Sequence, residues 1–175
     1  GAETVCYYLA HYLHEQNSKS YIVTSGGPLT KYIDRKKVTL IRLPVQSKNP
    51  ILIFLNTIIL IIIILIYGIN IVHARSRAPA WSCLFATKIT QRKFVTTFHG
   101  TYNFNSSIKK FYNSIMVKSD LIIAGSNFIF SHINENYSSY LNKNQKLLTI
   151  FRGINLEYFD PKKIKSGAEL KLMNE

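Results

Sequence analysis

Short apolar runs alternate with helix-patterned segments along nearly the whole chain, and that alternation restricts it to one broad architecture. Residues 3–16 carry Val5, Leu9, Tyr12 and Leu13 at helical spacing. A strand is expected at 20–24 (SYIVT), then a tight break at Ser25-Gly26-Gly27-Pro28. A second strand at 38–43 ends at Pro44, and Asn49-Pro50 opens a helix over 51–67. Further strands are read at 70–73, 94–98, 120–124 and 147–150. Between them lie helices from Ser76 to about residue 88, over 107–117, and from a Ser126 cap to about residue 137. The strand runs are continuously apolar, as strands covered on both faces must be. Strand–helix alternation with short connections therefore predicts an α/β chain: a parallel sheet with helices on both faces. Residues 1–150 form one domain on this reading, and 151–175 read as a linker and stub.

The segment 51–67 admits two structures. Only Asn56 and Thr57 interrupt its apolar run, yet it falls short of the roughly 20 residues a bilayer span needs. Basic residues flank both sides, Lys48 before and Arg75 and Arg77 after, so they set no orientation. A span would also put strand units on opposite sides of a bilayer, where neither half completes a sheet. The expectation is a helix covering one sheet face. It lacks the polar outer face such a helix ordinarily keeps.

Composition narrows the function classes. The 175 residues include 22 Lys+Arg and 9 Asp+Glu, a net charge of +13. An apolar share of 47% excludes a disordered chain. The surplus charge favours anionic partners: phosphorylated molecules or an anionic membrane surface. Nucleic acid is not expected, because no recognition motif or basic block accompanies the charge. Two cysteines, Cys6 and Cys83, fit a reduced cytoplasmic compartment and packing roles within helices. The first apolar run is broken by His11 and lacks a basic lead, so no signal peptide is expected. A start at Gly1 rather than Met is read as part of a longer product.

Ligands of parallel α/β sheets bind beyond the carboxyl ends of the strands, where helix N-termini present free N–H groups. Five such ends carry Ser25-Gly26-Gly27, His73-Ala74-Arg75-Ser76-Arg77, His99-Gly100-Thr101-Tyr102-Asn103, Gly125-Ser126-Asn127 and Phe151-Arg152-Gly153. Arg75, Arg77 and Arg152 are suited to a phosphate. His73 reads as a packing or capping residue, while His99 shares its loop with Gly100, Tyr102 and Asn103. There is no G-x-G-x-x-G, no P-loop lysine motif and no G-x-S-x-G. His11 and His14 stand three apart without a thiol or carboxylate motif, so no metal is expected.

The stretches GAETVCYYLAHYL, YIVTSGG, RLPVQSKNP, NIVHARSRAPAWS, FVTTFHGTYN, DLIIAGSNFI and IFRGINLEYFDP together resemble the N-terminal domain of family 4 glycosyltransferases of the GT-B fold. The resemblance runs from residue 1 to about 163. It implies a Rossmann-like domain on the acceptor side of a cleft, with its first strand missing before Gly1. The partner half would be a donor-binding domain with an E-x7-E motif, absent after Glu175. The implied reaction is hexosyl transfer, with retention, from a nucleotide sugar to a lipopolysaccharide or other envelope glycan acceptor. No cofactor is implied, and the chain alone is expected to be inactive. By resemblance His99 lines the reacting sugar, and Gly1 ends the glycine-rich loop near the donor diphosphate. Arg75, Ser76, Tyr102 and Asn103 line the acceptor side, Ser126 faces the cleft, and Arg152 and Gly153 open the linker. The location implied is cytoplasmic, at the inner face of the cytoplasmic membrane. Two other readings remain: a small membrane-anchored protein with a span at 51–67, and a non-catalytic module for phosphorylated ligands.

Overall fold

The computed structural model describes residues 2–153. Helix α1 (Ala2–Glu15) leads into β1 (Ser20–Thr24), a 3-10 turn (Pro28–Tyr32) and β2 (Val38–Arg42). Then follow α2 (Pro50–Tyr67), β3 (Ile71–Ala74), α3 (Arg77–Thr90), β4 (Lys93–Phe98), α4 (Ser107–Asn113), β5 (Leu121–Ala124), α5 (Asn127–Tyr137) and β6 (Lys146–Thr149). All strand pairs are parallel, as the continuous apolar runs require.

The strands are divided between two sheets. β1 pairs with β2, and β3-β4-β5-β6 form a four-stranded sheet in chain order. Among the described residues no strand joins β1 to β3. The two sheets nevertheless belong to one body. Val23 of β1 and Leu43 pack against the larger core, and the Tyr21 and Tyr67 rings meet at 5.0 Å. A smaller core of Ala10, Ile33 and Val38 fills the space under β1 and β2.

The larger core centres on Phe98, Ile115, Met116, Val117, Ile122 and Ile133, all fully buried. Three of these come from a 3-10 turn, Ser114–Val117, that follows α4. The sequence pattern predicts one helix over 107–117. The last turn tightens instead, and Ile115, Met116 and Val117 are buried in succession, which a one-sided helical stripe does not allow. Buried polar groups within β4 are satisfied. Thr96 donates to the Met116 carbonyl at 2.6 Å, and the Phe94 N–H donates to Asp120 at 2.8 Å.

The α2 helix is delimited as its sequence demands. Asn49 accepts from the Ile51 N–H at 2.9 Å, with Pro50 in the first turn. Gly68 ends the helix in the left-handed conformation, φ 61°, where a Cβ is strained. The expected sheet-covering role is modified: α2 packs chiefly along α3, with Leu60 and Ile64 reaching the core. The Ser82 hydroxyl donates to the Ile53 carbonyl at 3.1 Å, and Asn56 donates to the Pro44 carbonyl at 3.1 Å. A free-standing span is therefore not what α2 forms.

Ile64 is 1% exposed and Ile66 is 72% exposed. We expect Ile64→Ala to lower unfolding free energy by about 2–5 kcal/mol, and Ile66→Ala to change it by less than about 0.5 kcal/mol. Urea midpoints measure both; equal losses would contradict the assigned sidedness of α2.

Candidate functional site

Parallel pairing within the β3–β6 sheet delivers its four carboxyl ends to the same edge. β3 ends at Ala74, and Arg75 and Ser76 follow at once; β4 ends at Phe98, followed by His99; β6 leads through Ile150 to Arg152. The register fixes these ends side by side, with Ala74 opposite Thr96, Phe98 opposite Ala124 and Ala124 opposite Thr149. The Ile150 N–H continues the ladder by donating to the Ala124 carbonyl at 2.9 Å.

His99 and Arg152, distant in sequence, meet on this edge. An Arg152 N–H donates to His99 Nδ1 at 2.6 Å. A guanidinium has no acceptor, so Nδ1 is the unprotonated nitrogen and Nε2 carries the proton. That Nε2 is buried without a hydrogen-bond partner among the described residues. Arg75 Nε is buried and unpartnered in the same way. Neither guanidinium has a carboxylate partner among the described residues.

These cations act on one another. Burial pushes the His99 pKa down to about 4, and the positive charges of Arg75 and Arg152 push in the same direction. His73, behind them on β3 and bonded to Thr97 Oγ1 at 2.7 Å, is also lowered to about 4, by burial, then Arg75, then His99. Arg75 itself is lowered by burial and by Arg152, against an opposing pull from Cys6. Two unneutralised guanidiniums around a neutral imidazole hold positive potential that an anion would relieve.

A second feature adjoins α3. Arg77 lies over the Tyr102 ring at 4.4 Å and donates to Asn113 Oδ1 at 2.7 Å. Asn113 is buried and donates in turn to the Asn103 carbonyl at 3.1 Å. Around this node opens a groove of about 530 Å³, whose lining includes Lys48, Arg77, Tyr102, Asn103 and Lys109 and no acidic residue.

The residues named from sequence separate accordingly. Arg75, His99 and Arg152 converge. Ser76 is the exposed N-cap of α3 and makes no capping bond through its side chain. Tyr102 and Asn103 line the groove, with the Tyr102 ring tilted against Phe98, centroids 4.6 Å apart. The Ser126 hydroxyl accepts from the Ile129 N–H at 3.2 Å, so capping α5 is its evident task. Gly153 is exposed, and a side chain at its position would meet open space, so nothing nearby demands glycine. Gly1 and the stub beyond residue 153 lie outside the described residues. Sequence reasoning does not place Lys48, Lys109 or Asn113 in a site; Lys48 reads there only as a basic flank of the 51–67 segment. Asn113 reads as an ordinary polar helix position, and Lys48 and Lys109 lie 61 residues apart by number.

Cys6 and Cys83 sit in α1 and α3. Burial raises both thiols, Cys83 to about 12, which suits packing and not nucleophilic attack. No group of three or more His, Cys, Asp or Glu side chains is placed to hold a metal among the described residues.

In the unfolded chain His73 and His99 protonate near 6.5, and in the folded chain near 4. Between those values the unfolded state binds more protons, so folding stability falls as pH drops through that window and is fully present above it. Denaturation midpoints measured from pH 7 to pH 4 should decline, and His73→Gln should flatten the decline. A midpoint that rises on acidification would contradict the buried neutral imidazoles.

The sequence matches the model of Glycosyltransferase Family 4 over residues 1–158. A crystal structure of a glycosyltransferase from Rickettsia africae is 41% identical and superposes with a TM-score of 0.80, covering 98% of this chain and 45% of that one. The chain thus spans less than half the length of that relative. A sucrose-phosphate synthase from Thermosynechococcus elongatus shares the fold at 13% identity, with a TM-score of 0.58, 95% of this chain and 92% of that one covered. Comparison with curated proteins gives no match. With the family matched over most of its length and the parallel α/β fold of a GT-B N-terminal domain in place, the chain belongs to glycosyltransferase family 4.

Proposed function

We propose that this chain is the acceptor-side domain of a retaining hexosyltransferase that moves a sugar from a nucleotide-sugar donor to a lipopolysaccharide or related envelope glycan acceptor in the cytoplasm. The observation that carries the reading is His99, held by Arg152 with its protonated Nε2 buried and unpartnered beside Arg75.

The chemistry follows from those groups. In the transfer, the bond between the sugar's anomeric carbon and the phosphate oxygen breaks, and the diphosphate leaves with the electron pair. Negative charge grows on the leaving group while positive charge grows on the sugar ring. Arg75 and Arg152 stabilise the first, which assigns Arg75 to the leaving group and not to the acceptor lining that the resemblance implies. His99 serves the second by being neutral: a cationic imidazole beside an oxocarbenium-like ring would repel it. Its Nε2–H, buried and without a partner among the described residues, donates to a sugar hydroxyl once that edge of the ring is uncovered. The acceptor hydroxyl adds its oxygen to the anomeric carbon on the face the phosphate leaves, and its proton passes to the departing phosphate oxygen. Arg77, Tyr102 and Asn103 position the acceptor in the adjoining groove. No metal enters this scheme.

The test joins the chain to a second Rossmann-like domain and follows sugar transfer from a panel of nucleotide sugars, with the chain alone as a control expected to be silent. His99→Ala should lower kcat by at least about 10²-fold, and the product should keep the donor's anomeric configuration. Turnover indifferent to His99→Ala, or an inverted product, would overturn the assignment. Phosphate-ligand binding without any turnover would favour a non-catalytic module.

A further inference from the structure

The α2 helix is inside out. Its two polar residues, Asn56 and Thr57, point into the domain, where Asn56 donates to the Pro44 carbonyl and Thr57 to the Ile53 carbonyl at 2.8 Å. Its solvent side carries Ile51, Leu55, Ile58, Ile62 and Ile66, each between 41% and 72% exposed. These positions recur every three or four residues and form one stripe along an 18-residue helix. The helix has no charged residue. Contiguous exposed apolar patches of this kind mark docking surfaces.

Charge is arranged around the stripe. At the amino end of α2, exposed Lys48 is both the residue before its Asn49 cap and a wall of the basic groove with Arg77 and Lys109. At the carboxyl end, exposed Lys93 is tied by its N–H to the Asn70 carbonyl at 3.1 Å, just beyond Gly68. An apolar stripe with an exposed lysine in the chain segment at each of its ends, on a chain of net charge +13, complements a surface that is apolar beneath and anionic above.

We propose that α2 lies flat on an anionic lipid bilayer, its outward isoleucines among the acyl chains and Lys48 and Lys93 at the level of the headgroups. The helix does not cross: its inner face is fixed to α3 through Ile53, Leu60 and Ile64. A second copy of the chain is the poorer occupant, since it would bring two cationic rims together. Docking in this pose sets the Lys48–Arg77–Lys109 groove at the headgroup layer. The groove then meets an acceptor carried on a lipid phosphate; this last step rests on the transferase reading, and docking itself does not.

Flotation of the full chain with phosphatidylcholine vesicles, with and without about one-third phosphatidylglycerol, tests the proposal. The chain should float with the anionic vesicles, stay behind with the neutral ones, and be released by high salt or carbonate. Ile58→Glu combined with Ile62→Glu should lower vesicle partitioning at least about tenfold, with an unchanged circular dichroism spectrum showing that the fold persists. Lys48→Glu should weaken binding by a smaller factor. Equal binding of the double variant, equal flotation with neutral vesicles, or resistance to carbonate would overturn it. So would light scattering that shows a vesicle-indifferent dimer dissociated by Ile58→Glu. None of these readouts involves sugar transfer, so they stand or fall separately from the catalytic assignment.

Discussion

Parallel pairing of β3 through β6 is the constraint on which the rest depends. It sends four carboxyl ends to one edge, so the residues that follow them share a rim although they are scattered along the chain. Arg75 follows β3, His99 follows β4, Ser126 precedes α5 and Arg152 follows β6. The core beneath holds that register. Phe98 and Ala124, both fully buried, face each other across the β4–β5 pair immediately before the loops diverge. A rim built on rigid strands can keep unfavourable electrostatics that a loop surface would relax away.

The rim keeps such electrostatics. Arg75 and Arg152 repel each other and disfavour protonation of His99, and no carboxylate among the described residues neutralises them. On the proposed function, a bound diphosphate would offset this repulsion, since its charge and shape suit two guanidiniums. Burial, and after it the charges of Arg75 and Arg152, keep the imidazole neutral, while the Arg152 hydrogen bond at Nδ1 leaves the ring proton on Nε2.

Much of this was legible in the sequence. The element order followed from continuous apolar runs between helical patterns, and the rim residues from the rule that ligands meet the carboxyl ends of parallel strands. What stayed hidden was pairing in space. Nothing local says that Arg152 reaches His99, because that contact depends on β5 lying between β4 and β6. The break after Asn113 was hidden as well, since Ser114 to Val117 keep an acceptable helical composition while tightening to bury three residues in succession. Helix α2 defeated the usual reading of sidedness. Amphipathic patterning assumes that polar residues face water, and here Asn56 and Thr57 face the protein. The division of the strands into two sheets was likewise not written in any one segment; it concerns which edges meet.

At the centre of the rim stands a neutral His99, its Nδ1 accepting from Arg152, beside guanidiniums that have no carboxylate partner among the described residues. Long-range proton–nitrogen NMR of the imidazole, recorded without and with a nucleoside diphosphate, tests this most directly. The expected result is the Nε2–H tautomer at neutral pH and a shift of the His99 and Arg152 signals on titration. A protonated ring, an Nδ1–H tautomer, or signals unmoved by the diphosphate would contradict it.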